Sequence, residues 1–488
     1  MELQNLYAAL AQPTERLVVS YPRADAGGNE LQPAFVVKRL EELFPRLQKR
    51  EASALDVSAA PLPALQAAGS WKGGRLWKYF EERGDYDKEL RAMERAMAVK
   101  RGALSPEAVE LLYGTKIRMS ASRLDKMRQC HYAYFLQYGL KAKPRKTAAF
   151  DAPEIGTFLH YLLENVTKEV QAKGGFAEVD TKVLHQLTRC YIDRFAAEEL
   201  DSLREKNARF RYLFRRLCAT ANKIVENLAA EMRESDFEPR AFELSFGQDG
   251  NIPALSITEG EHTMQVGGKV DRVDGWLHDG KLYLRVVDYK TGKKAFDLAD
   301  VRYGLNLQML LYLFTLEQNG EDYFGSPVVP AGVLYMPARD ELMSQSRNIG
   351  TEALQHAFQK EMTRSGLLLA DPAVLKAMEH SALESPCYLP LMVNKDGNLS
   401  GSIASAEELG MLARHVEHQL HEILREMTEG VVDADPSCRN ENDMPCAWCE
   451  FADACHFEDG RGSDHRRFIT PIKPEEFWEE LKEKGGNI

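Results

Sequence analysis

Residues 264–275 read MQVGGKVDRVDG and residues 281–290 read KLYLRVVDYK, two strand-like runs joined through WLHDGK. Asp279 and Gly280 suit a two-residue hairpin turn, because both central positions of a type I′ turn take positive φ. A turn at that dipeptide sets the register and puts Asp271 directly opposite Asp288. Alternation along the strand then places Lys290 on the face of Asp288 and turns Tyr289 away. Side chains paired in this way stand about 5 Å apart, where two carboxylates repel by roughly 3 kcal/mol at an effective dielectric of 20. A divalent cation relieves that repulsion, and carboxylate oxygens are hard ligands suited to magnesium or manganese. The neighbouring Leu282, Leu284, Val286 and Val287 make an unpartnered carboxylate expensive. The competing reading is a solvated hairpin whose charges splay into water.

Outward from the hairpin, residues 115 to about 236 read as helices, 240–290 as strands, and 305–318 as a helix. A further strand is expected at 328–336 (VVPAGVLYM), with helices around 351–380 and 404–429. This order is an α/β arrangement. The first 47 residues read as a strand, LVVSYP, followed by a helix in FVVKRLEELFPRL whose apolar face holds Val36, Val37, Leu40, Leu43 and Phe44. Residues 51–75 are rich in Ala, Pro, Ser and Gly and read as a linker.

A chain of 488 residues with 44% apolar and 28% charged content exceeds one ordinary core and is neither disordered nor collagenous. Its net charge of -12 rules out attraction to nucleic acid through total charge, so phosphate binding must be local. No apolar run is long enough to span a membrane and the first residues lack a leader pattern, so a cytoplasmic protein with no membrane contact is expected. In that reducing setting the clustered Cys438, Cys446, Cys449 and Cys455 point to metal rather than to disulfides. Cys190, Cys218 and Cys387 read as buried thiols.

An Asp followed by D-x-K on a neighbouring strand resembles the PD-(D/E)xK nuclease superfamily. That resemblance implies a restriction-endonuclease-like core, a mixed sheet flanked by helices, here with helical additions. GTFLH (156–160) matches the branch containing RecB-type nucleases, where a histidine at the place of His160 binds metal. Gln308 and Tyr312 match its Q-x-x-x-Y motif, and Glu243 its strand-borne acid. The implied mechanism is metal-assisted hydrolysis of DNA phosphodiesters. Magnesium or manganese would be held by His160, Asp271, Asp288 and the carbonyl of Tyr289, Lys290 would orient water or stabilise charge, and Gln308 and Tyr312 would position the strand.

C-x2-C-x5-C with one distant cysteine resembles the four-cysteine [4Fe-4S] cluster of a subset of these nucleases. Cys130, in SASRLDKMRQCHYAYFLQYGL, matches the first ligand and lies 316 positions before Cys446; Cys446, Cys449 and Cys455 match the rest. By proximity alone Cys438 competes with Cys130, and zinc on the C-terminal four cysteines is the alternative occupant. Joining Cys130 to Cys446 closes a loop worth roughly 5 kcal/mol of chain entropy, a structural clamp.

Taken in order, these motifs resemble the C-terminal part of the AddB family, the B subunits of bacterial ATP-dependent helicase/deoxyribonucleases. The family implies an AddA-type helicase-nuclease partner, a DNA substrate, and double-strand break repair by recombination, with the AddB nuclease cutting the 5′-ended strand. On this reading residues 1–50 are the remnant of a helicase-like domain, 51–114 a linker and helical segment, 115–460 the nuclease with its iron-sulfur region, and 461–488 a tail. The chain departs from the helicase pattern at Ala11 and Gln12, and no G-x-x-x-x-G-K-[ST] phosphate loop occurs, so ATP hydrolysis by that route is excluded. Met1 is expected to open a fragment or truncated product.

Two basic stretches suit DNA phosphates: Arg204, Lys206, Arg209, Arg211, Arg215, Arg216 and Lys223 with Phe210, Tyr212 and Phe214 interleaved, and Lys141, Lys143, Arg145 and Lys146. The alternative for the first is a solvated helix with its aromatic rings in the core. A different class of function is a non-catalytic iron-sulfur module that binds DNA ends; intact Asp271, Asp288 and Lys290 count against it. The K-T-G at 290–292 lacks its S-x-x-K companion, and HEILR (421–425) falls short of H-E-x-x-H.

Overall fold

The computed structural model describes residues 2–24, 30–51, 56, 58–70, 72–98, 101–143, 152–199, 208–247, 250–339, 350, 353, 357, 359–440 and 443–485. The chain divides into two compact units, 1–99 and 100–488.

The smaller unit is helical. Its core is formed by Ala64, Leu65, Ala68, Trp77, Phe80 and Leu90, carried on helices Pro61–Gly69, Arg75–Arg83 and Asp87–Ala98. The first of these lies inside the stretch expected to be a linker. Pro61 sits in its opening turn, where a missing N–H costs nothing, and the alanines that follow favour helix. The expected helix after LVVSYP is present as Phe35–Leu43, but none of its residues is buried. LVVSYP itself forms no strand: Leu17, Val18, Val19 and Tyr21 are exposed, and none of them pairs in a ladder with another described residue.

In the larger unit one mixed sheet is built from β1 (Lys116–Ser120), β2 (Glu238–Phe246), β3 (Leu255–Glu259), β4 (His262–His278), β5 (Lys281–Lys290), β6 (Val328–Pro337) and β7 (Ser365–Leu369), with Ile403–Ala404 at its far edge. Helices α1 (Ala121–Gln129), α2 (Ala152–Ala172), α3 (Ala208–Arg233), α4 (Gln308–Asn319) and α5 (Ala406–Thr428) flank it. The 17-residue β4 is the spine. Its first part lies between parallel β1 and antiparallel β3, and its second between antiparallel β2 and β5. Beyond β5 the sheet continues through parallel β6 to antiparallel β7.

Asp279 and Gly280 both adopt positive φ, +48° and +74°, and the hairpin pairs His278 with Lys281 through to Arg272 with Val287. β5 and β6 are almost continuously buried, as a central strand paired on both sides requires. α4 packs on them and is apolar nearly all round, with Met309 to Leu316 buried. α5 opens with a reciprocal Ser405–Glu408 capping box.

Two strands depart from the expected order. β1 interrupts the helical run, and β7 lies within the stretch 351–380 expected to be helical, where the described residues 353, 357 and 359–361 and the short helix Pro372–Met378 are helical. No helix among the described residues is long and apolar enough to cross a membrane.

Candidate active site

The site forms where β4 and β5 part. The last ladder pair is Arg272 with Val287; one step further, the Asp271 side chain takes the place of the backbone, its Oδ2 accepting the Tyr289 N–H at 2.9 Å. The Tyr289 carbonyl meets His160 Nε2 at 3.0 Å, and His160 Nδ1 lies 3.3 Å from Asp271 Oδ1. α2 thus delivers His160 into the fork, and Asp271 joins both strands to it. Burial works against an imidazolium here, but Asp271 outweighs it and the histidine pKa is raised. An imidazole set between a carboxylate and a carbonyl points a nitrogen donor at the place that a cation can take.

Asp288 is 4% exposed. Burial, and then the charge of Asp271, push its carboxyl up to about 6, against the pull of Lys290 and His160. Lys290 Nζ stands 2.7 Å from Asp288 Oδ2, an ion pair that holds the amine against the buried carboxylate. The amine expected from the alternation thus stands beside Asp288, and Asp271 is near enough to act on its charge, but the ligand atoms that lie within 4.8 Å of one another among the described residues come from His160, Glu243 and Asp271, without Asp288.

Glu243 enters from β2 in an unusual way. Its φ of +50° is left-handed for a non-glycine residue inside a strand, a conformation costing about 1–3 kcal/mol that surrounding structure must hold. One ligand atom each from Glu243, His160 and Asp271 lie within 4.8 Å of one another, while Lys269 on β4 pairs with the Glu243 carboxylate. On α4, Gln308 Nε2 reaches the Tyr312 hydroxyl at 3.4 Å, and Tyr312 stacks on Phe246. The Tyr312 ring crosses β4 over Gly268, where a Cβ would lie 2.5 Å from it.

The donor set is one imidazole nitrogen, three carboxylates and a backbone carbonyl. That composition fits a hard divalent cation.

The same residues fall within a family model. Residues 118–456 match the PD-(D/E)XK nuclease superfamily. The chain belongs to that superfamily. It is also 30% identical, over 98% of its length, to the B subunit of the ATP-dependent helicase/deoxyribonuclease of Clostridium novyi, and 30% identical, over 99%, to that of Clostridium perfringens strain SM101. The chain spans 44% of the length of each of these relatives.

Behind the site, on the opposite face of this nuclease sheet, lies a buried ionic network that the sequence reading missed. Arg272 contacts Asp274, Asp274 accepts from Arg285 at 2.9 Å, Arg285 meets Glu231 of α3 at 3.1 Å, and Arg364 closes on Glu231 at 2.6 Å. Arg272 Nη1 also donates to the Tyr289 hydroxyl at 3.0 Å. The signal in the sequence was two arginines and an aspartate at inward-facing positions of strands otherwise apolar.

The superfamily match spans all eight cysteines. Cys130, at the end of α1, and Cys446, Cys449 and Cys455 line one cavity of about 290 Å³, walled by Tyr132, Trp448 and Phe451. Burial, followed by the other three thiols, pushes Cys446 up to about 12. No three of these described sulfurs converge within 4.8 Å of one another. Cys438 lies apart on the short strand Ser437–Cys438, and its charged neighbours are Arg466, Asp459 and Asp443. Arg101 braces the cavity wall, binding Asp464 and the Cys455 carbonyl with its guanidinium 4.3 Å from the Tyr132 ring centroid. The remaining cysteines are not buried as expected: Cys190 and Cys387 are exposed and Cys218 is intermediate.

Of the basic stretches, the side chains of 201–211 and residues 145 and 146 lie outside the described set. Arg215, Arg216 and Lys223 are exposed, as are Lys141 and Lys143. Tyr212 is exposed, whereas Phe214 is buried against Phe158 and is unavailable to a base.

Proposed function

We propose that this chain is a metal-dependent deoxyribonuclease that hydrolyses DNA phosphodiester bonds, with exonuclease action, as the nuclease part of an AddAB-type helicase-nuclease. The observation that supports the reading is the fork of β4 and β5, where Asp271 holds His160 and the Tyr289 N–H and, one residue away, Lys290 pairs with Asp288. His160, Asp271, Asp288 and the Tyr289 carbonyl would hold magnesium or manganese, with Glu243 within reach of the same ion. When bound, the cation supplies Lewis-acid polarisation of the scissile phosphate and acidifies water. Lys290 donates to the attacking water and offsets charge developing on the phosphate. Gln308 and Tyr312, fixed against β4, align the strand at the fork.

A [4Fe-4S] cluster on Cys130, Cys446, Cys449 and Cys455 is the second part of the proposal. Four thiolates on one tetrahedral zinc would bring their sulfurs to about 3.8 Å, given Zn–S bonds of about 2.3 Å. The wider spacing of these sulfurs around a cavity suits a multinuclear group, and Cys438 faces elsewhere. Its role would be to clamp α1 to the C-terminal segment. An AddA-type partner, break repair by recombination and a cytoplasmic location rest on likeness to the clostridial helicase/deoxyribonuclease relatives.

The test incubates the purified chain with end-labelled single- and double-stranded DNA, with and without magnesium, while its ultraviolet-visible spectrum is recorded. Magnesium-dependent cleavage and a visible iron-sulfur band are expected. End binding without cleavage would favour the non-catalytic module, and stoichiometric zinc without iron would overturn the cluster.

A further inference from the structure

Tyr289 stands between the two residues of the D-x-K motif and points to the other side of the sheet, where a strand residue of a nuclease needs only to be apolar. It is a tyrosine, 2% exposed, whose hydroxyl accepts from Arg272 Nη1 at 3.0 Å. Arg272 is itself fully buried and cannot move to suit the tyrosine. Its Nε lies 2.8 Å from Asp274 Oδ1 and its Nη2 donates to Asp274 Oδ2 at 3.0 Å. Asp274 is shared with Arg285, Arg285 with Glu231, and Glu231 with Arg364, which is further tied to Asn227 at 2.6 Å. The Tyr289 hydroxyl therefore ends a rigid chain of ionic contacts running from β4 through β5 to α3.

The other end of the same residue is in the fork. Its N–H is bound by Asp271 and its carbonyl meets His160 Nε2. β5 has lost β4 as a ladder partner at this point, so the peptide planes flanking Tyr289 have no strand on that side to set their tilt.

We infer that Arg272 is a positioning residue for the metal site, acting through the Tyr289 hydroxyl to fix the direction of the Tyr289 carbonyl and the separation of Asp288 from Asp271. The inference rests on the metal-dependent nuclease reading. Outer-shell partners of this kind typically contribute ten- to a hundredfold to metal affinity. Arg272→Lys keeps the charge beside Asp274 but lacks the forked reach to the hydroxyl, and Tyr289→Phe removes the hydroxyl alone.

The experiment titrates manganese into the full chain without DNA and follows free ion by electron paramagnetic resonance, beside thermal melts of the same samples. Arg272→Lys and Tyr289→Phe are each expected to weaken manganese binding by about tenfold or more, and the double variant by no more than the stronger single change, because the two groups act as one unit. Arg364→Lys, at the far end of the network, is expected to lower the melting temperature while manganese affinity stays within about twofold. The inference is overturned if the folded Tyr289→Phe protein binds manganese like the parent, if the two changes multiply, or if Arg364→Lys weakens binding equally. A parent chain that neither binds manganese nor cleaves DNA overturns the nuclease reading itself, which separates the two failures.

Discussion

The register that sets Asp288 and Lys290 toward Asp271 comes from a turn seven strand pairs away, which is why that part of the site could be read from the letters. Once Asp279 and Gly280 accept positive φ the register follows, and with it the opposition of the two carboxylates. Replacing Asp288 with Asn, or Lys290 with Ala, is expected to reduce magnesium-dependent cleavage by at least about a hundredfold, the scale of losing one preorganised charge-stabilising group. Retained circular dichroism and a gel assay check this. His160 and the Gln308–Tyr312 pair were legible through likeness to a motif. Glu243 was named the same way, but its closeness to His160 and Asp271 depends on a left-handed backbone that local propensity disfavours. Only surrounding contacts select that conformation, so no inspection of AFELSFG alone would find it.

Among the elements, β4 and β5 were legible because alternation and a strong turn agree, whereas KIRMS and SGLLL are five-residue strands whose partners are distant in sequence. LVVSYP shows the converse: β-branched letters without a neighbour make no strand. The ionic network joining the sheet to α3 has its own pH signature. Burial alone would raise the Glu231 carboxyl, but Arg364, Arg285 and Arg272 overcome it and hold the group at about 2. Since its pKa when unfolded is about 4.3, the network stabilises the fold fully above about pH 4.5 and loses its contribution, roughly 3 kcal/mol, as pH falls toward 2. Glu231→Gln should therefore cost about 3–5 kcal/mol at pH 7, and the gap from the parent in denaturant melts should narrow as the solution is acidified to pH 3. Gly268→Ala addresses the α4 contact. Its methyl would strike the Tyr312 ring, so a loss of about 1–3 kcal/mol is expected, with reduced cleavage because the ring is displaced from the fork.

For the larger unit as a whole, the cavity lined by Cys130, Cys446, Cys449 and Cys455 sets a segment near its beginning beside one near its end. Three of those cysteines announce themselves by spacing; the fourth is separated from them by most of the nuclease and was recognisable only from its flanking residues. Cys130→Ala is expected to abolish iron binding, measured by elemental analysis, and to lower the melting temperature, whereas Cys438→Ala should leave iron content unchanged. Chelation of iron from the parent chain should reproduce the melting change. There is a timing consequence as well. A ribosome adding about 5–20 residues per second needs roughly 15 to 60 s to travel from Cys130 to Cys446. During that interval α1 and the sheet emerge with one wall of the cavity missing, so polypeptides terminated at any codon before the last cysteine would lack a complete set of thiols.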